Sequence, residues 1–130
     1  MKDMRKEYIK QWLLKADEDL LVVNTLIEQN FAAKASICFH CQQAAEKYLK
    51  AFLIAHDKEF PKTHSIEYLL AECSAFDKEF KQVDPESLSD FGVGARYPID
   101  LYLPSKEEIL SYKQIVLKVK KLLENSLEKK

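Results

Sequence analysis

Two glycines, Gly92 and Gly94, are all that this chain of 130 residues contains. Strand-rich domains reverse direction every few residues, and their tight turns draw on Gly, Asn and Pro. A chain with two glycines and four prolines lacks the turns of a sandwich, a barrel or a doubly wound sheet. No glycine precedes position 92, so a glycine-rich phosphate loop is excluded as well. Hydrophobic residues at 47% and charged residues at 32% mark a folded rather than a disordered chain. The length suits a single domain over residues 1–130.

The apolar spacing is helical. In the segment from Asp3 to Gln29, Trp12, Ala16, Leu20, Val23 and Ile27 recur by fours and threes, one face of a helix. A second helix is expected over Phe31–Asp57, joined to the first by a short turn at Gln29–Asn30 that makes the pair antiparallel. A third, shorter one follows His64. A fourth is expected at Asp84-Pro85, an N-cap acid followed by a first-turn proline, ending at Gly92-Val93-Gly94. A fifth opens at Ser105, with Glu108 completing a capping box, and its seam is Ile109, Tyr112, Val116, Val119 and Leu123. The expected class is all-α: an up-and-down four-helix bundle with an additional short helix.

Twenty basic and 21 acidic residues leave a net charge of −1, so no overall field draws the chain onto nucleic acid or anionic lipid. No apolar run is long enough to span a membrane. Three cysteines without a disulfide framework and a charged amino-terminal stretch point to a reduced, cytoplasmic protein.

The second helix is the most informative. At about 100° per residue, Ser36, His40, Gln43, Lys47 and Lys50 form a polar stripe, while Ile37, Cys38, Cys41, Ala44, Ala45, Tyr48, Leu49 and Phe52 fill a wide apolar arc. Such a helix is central, wrapped by its neighbours. Gln42 falls inside the arc, either as a hydrogen-bonded core amide or at an interface. Ala44 and Ala45 suit either tight packing within the chain or a symmetric dimer seam. Cys38-x-x-Cys41 has no second pair to complete a zinc site and lies mid-helix, so it reads as buried apolar packing. Lys47 and Lys50 read as a solvated face, with Glu46–Lys50 an i, i+4 pair, or as a basic edge for phosphate. His64 is a capping or packing group, or a general base or nucleotide contact at a helix start. In the proline- and tyrosine-bearing stretch from Ala95 to Pro104, Arg96 pairs with a carboxylate or clamps a phosphate, and Tyr97 plugs the bundle end or stacks on a base. Asp17 and Asp19 stand two apart and face different ways on a helix. No nucleophile, cofactor or metal constellation is visible.

W-x3-A-x2-D-L at Trp12–Leu20, QQAAEKYLKAFL at Gln42–Leu53, HSIEYLL at His64–Leu70 and RYP at Arg96–Pro98 occur in that order. Together they resemble the HEPN domain family (higher eukaryotes and prokaryotes nucleotide-binding), over about residues 8–125. The resemblance implies the helical bundle of the nucleotidyltransferase substrate-binding type, usually a homodimer, often beside a small nucleotidyltransferase partner of the MNT type in a two-component, toxin–antitoxin-like pair. Many members are ribonucleases, and these carry an Arg followed at short spacing by a His. Here neither Arg5 nor Arg96 is so followed: the histidines are His40, His56 and His64. Arginine stays protonated and cannot exchange the proton that cleavage at a 2′-hydroxyl requires. The expectation is therefore a non-catalytic HEPN homodimer that binds a nucleotide or a nucleotidyltransferase, with Lys47, Lys50, His64, Arg96 and Tyr97 lining the cleft. The alternatives are a divergent ribonuclease or toxin that uses His64 with Arg96 on RNA, and a structural dimerisation scaffold.

Overall fold

The computed structural model describes residues 2–91 and 104–128, with side chains from residue 4 onward. Among these residues the regular elements are all helical: α1 (Lys2–Glu28), α2 (Lys34–Ala55), α3 (Ile66–Ser74) and α4 (Lys106–Glu128), with 3-10 turns at Lys78–Gln82 and Leu88–Phe91. The chain is thus the all-α helical bundle expected, with α3 its short member. The glycine pair at 92 and 94, Arg96 and Tyr97 lie outside the described residues.

The α1–α2 hairpin turns without glycine. Asn30, Phe31 and Ala33 take positive φ of 60°, 59° and 54°, a region that costs a residue with a Cβ about 1 kcal/mol or more. Ala33 ends this left-handed passage as the N-cap of α2, so the helix starts three residues later than its apolar pattern predicts. The turn is held from both sides. Phe31 packs against the core, and Lys106, the first residue of α4, donates to Asn30 Oδ1 at 3.2 Å while its ammonium lies 5.3 Å from the Phe31 ring centre.

α2 is the central helix, packed on α1, α3, α4 and the 3-10 turn at Leu88–Phe91. Ala44 and Ala45 are fully buried and serve packing within the chain; they are closed to a dimer seam. Cys38, Cys41 and Cys73 are buried free thiols. Burial, joined by the charge of Glu108, pushes the Cys38 thiol up to about 12. All five predicted seam residues of α4 are buried. The capping box forms in both directions: Glu108 N donates to Ser105 Oγ at 3.1 Å and Ser105 N to Glu108 Oε1 at 2.9 Å.

The α-helix expected at Asp84-Pro85 does not form. Asp84 Oδ1 accepts from Glu86 N at 2.9 Å, and Glu86 sits at φ 51°. That closes a turn instead of opening a helix, and only the 3-10 turn at Leu88–Phe91 follows. Its Ser89 Oγ accepts from Ile66 N at 2.8 Å, so this turn satisfies a free donor at the start of α3. The turn at Lys78–Gln82, capped by Asp77, was not foreseen.

These end geometries predict opposite signs for two substitutions in urea unfolding. Ser105→Ala should lower stability by about 1 kcal/mol through the lost cap. Ala33→Gly should raise stability, because glycine adopts the left-handed region without a Cβ clash.

Candidate functional site

With three helices around it, α2 keeps one flank for polar groups, and these are tied down rather than solvated. Glu46 is at the centre. Its side chain is 6% exposed, yet its two oxygens meet three donors. Lys50 Nζ donates to Oε2 at 2.9 Å, Gln42 Nε2 donates to Oε1 at 3.0 Å, and His64 Nδ1 lies 3.0 Å from Oε1. Burial pushes the carboxyl up, but the hydrogen bonds from Lys50, His64 and Gln42, with the charge of Lys50, outweigh it and hold Glu46 below its ordinary value of 4.5. An ionised carboxylate only accepts, so His64 carries its proton on Nδ1, which leaves Nε2 outside this contact. The His64 side chain is 49% exposed.

Gln42 is a fully used core amide. Nε2 also donates to the His64 carbonyl at 2.9 Å, and Oε1 accepts from Gln43 Nε2 at 2.8 Å. Residue 64 is therefore fastened to α2 twice, by backbone and by ring. Capping of α3 falls to its neighbour, as Ser65 Oγ accepts from Tyr68 N at 3.1 Å.

Lys50 corrects the sequence reading. Expected on a solvated stripe lining a cleft, it is 8% exposed, with its ammonium 5.8 and 5.6 Å from the ring centres of Trp12 and Phe60. Two cation–π contacts, added to the Glu46 carboxylate, explain how a charge is tolerated there. Trp12 Nε1 beside it is buried with no hydrogen-bond partner.

A second cluster lies where α1 crosses α2. Asp19, nearly buried, accepts from Lys47 Nζ at 2.6 Å and sits 2.8 Å from His40 Nδ1. Asp17 does face another way, accepting from the Tyr48 hydroxyl and pairing with Lys120 at 3.4 Å. Neither Glu46 nor Asp19 was singled out from sequence as a site residue. The signal for Asp19 was its place on the apolar stripe, between Ala16 and Val23. For Glu46 it was the i, i+4 ladder Gln42–Glu46–Lys50. Of the expected residues, the structure places Lys50 and His64 on one carboxylate and Lys47 on the other. Among the described residues no group of His, Cys, Asp and Glu converges as a metal site, and no helix is long and apolar enough to cross a membrane.

A family model described as HEPN domain matches residues 9–129. No curated protein matches the chain.

The Glu46–Lys50 pair makes a testable claim about stability. Breaking a buried pair leaves an uncompensated charge, so Glu46→Gln and Lys50→Met should each cost about 3 kcal/mol or more in chemical denaturation. The double variant should cost less than the sum. Because the folded-state carboxyl lies below its unfolded value, its stabilisation is full above pH 4.5 and fades as pH falls through the folded value. The acid limb of a stability–pH curve should therefore flatten in Glu46→Gln.

Proposed function

The chain belongs to the HEPN domain family over nearly its whole length, and on that basis we propose that it is a non-catalytic, homodimeric module that binds a nucleotide or a nucleotidyltransferase partner through the polar flank of α2. The observation that carries this reading is the His64 ring, held at Nδ1 by a buried carboxylate and half open to solvent. A ring fixed in this way presents Nε2 at a set position, which lowers the ordering cost of a contact. Lys47 supplies a cation on the same helix. Lys50 acts from behind, neutralising Glu46 so that His64 has a charged anchor without a net charge beneath it. Arg96 and Tyr97 are kept in this reading for their chemistry, a bidentate phosphate donor and a stacking ring.

The test is a melting experiment with nucleoside triphosphates. A ligand at about 100 times its Kd adds about 2.7 kcal/mol to the folded state, worth roughly 3 °C or more per kcal/mol in a domain of this size. The shift should shrink in His64→Ala and in Lys47→Ala. No shift at millimolar nucleotide, alone or with a nucleotidyltransferase partner present, would remove the ligand role.

One observation favours a second reading, a divergent ribonuclease. A carboxylate on Nδ1 fixes the tautomer and orientation that a proton-accepting imidazole requires, and Glu46 gives His64 that support. In this reading purified wild type degrades RNA, while His64→Ala and Arg96→Ala do not. Equal inactivity of all three excludes it.

A further inference from the structure

The outer face of α1 carries an arrangement that the proposed site does not use. Leu14 and Leu21 stand seven residues apart on that face with 59% and 64% of their surface in water. One turn before Leu14 begins an open depression of about 510 Å3, lined by Met4, Arg5, Glu7, Tyr8 and Gln11. Residues 4, 7, 8 and 11 are spaced i, i+3, i+4 and i+7, the four corners of the hole that receives a knob in helix-on-helix packing. A single α1 thus bears a leucine knob near one end and an empty hole near the other. The other exposed large hydrophobics, Phe39, Tyr68, Phe76 and Leu110, are scattered over other parts of the fold.

We infer that the outer face of α1 docks antiparallel on α1 of a second copy of this chain, with Leu21 of each copy seated in the hole at Met4, Glu7, Tyr8 and Gln11 of the other. The inference rests on the homodimer in the reading above and names its surface. A twofold axis beside Leu14 brings that residue onto its own counterpart and sets Glu18 beside Lys10 of the second copy, twice by symmetry. The charges agree with this direction. Amino-terminal to Leu14 the exposed face is basic, with Lys6 and Lys10 against Glu7, while Arg5 is paired with Asp57. Carboxy-terminal to it Glu18 and Glu28 outweigh Lys15. Antiparallel docking sets basic half on acidic half, whereas parallel docking would set like on like. Ala44 and Ala45, the alternative small-residue seam, are sealed inside the subunit.

Sedimentation or light-scattering mass of the full chain tests this, with circular dichroism confirming the fold of each variant. Wild type is expected to be a dimer. Leu14→Glu and Leu21→Glu should be folded monomers, since both positions are exposed. Lys10→Glu and Glu18→Lys should each weaken the dimer roughly tenfold or more, about 1.4 kcal/mol, and the two together should restore it. Leu14→Cys should cross-link to a covalent dimer on oxidation, because the three native thiols are buried. A wild type that stays monomeric overturns both this surface and the homodimer. A dimer that persists in Leu21→Glu and shows no recovery in the charge exchange overturns the surface alone and leaves the homodimer standing. Loss of a nucleotidyltransferase complex in Leu21→Glu, with the wild-type chain monomeric by itself, assigns the face to that partner and overturns the inference.

Discussion

A carboxylate taken out of water must have its charge answered by groups fixed in place, and at Glu46 this requirement joins separate stretches of the chain. Moving one such ion into a protein interior costs several kcal/mol after relaxation. Gln42 and Lys50 answer from one turn on either side along α2, and His64 from the connection that leads into α3. Trp12 of α1 and Phe60 contact the ammonium. Sliding α3 one turn along α2 would strip Glu46 of the ring and Gln42 of the His64 carbonyl together. The polar cluster therefore fixes a register that apolar contacts alone leave loose, since many hydrophobic arrangements bury similar area.

The same economy governs the charges at the helix crossing. Lys47 and His40 share Asp19 as Lys50 and His64 share Glu46. Each cation on this flank already has an acid beside it, and the whole chain is nearly neutral. Such a face exerts little pull at a distance on a polyanion. A ligand for this face would be selected at short range, by the position of hydrogen-bonding atoms.

Much of the fold was legible in the sequence because its signals are local or periodic. The α4 seam from Ile109 to Leu123 and the Ser105–Glu108 capping box depend on residues a few positions apart, and both appear as read. The central place of α2 followed from the width of its apolar arc. Asp84-Pro85 misled because an acidic residue before a proline opens a turn as readily as a helix, and Glu86 in the left-handed region settles it as a turn. At the candidate site, periodicity put Lys50 on a polar stripe, but the stripe's solvent exposure is decided by rings outside its own helix, from Trp12 on α1 and from Phe60 in the connection after α2. Asp19 was hidden for a related reason: a lone acid on an apolar stripe acquires meaning only once α2 brings His40 and Lys47 against it. His64 was singled out, but its carboxylate anchor on a neighbouring element was not.

Trp12 is the chain's single tryptophan, and its indole lies against the Lys50 ammonium with its own N–H unpaired. Indole emission responds to nearby charge and to hydration, so the wavelength and yield of this indole are sensitive to the ion pair at its side. The molecule thereby carries an intrinsic optical gauge of its own charged centre, readable without any added label.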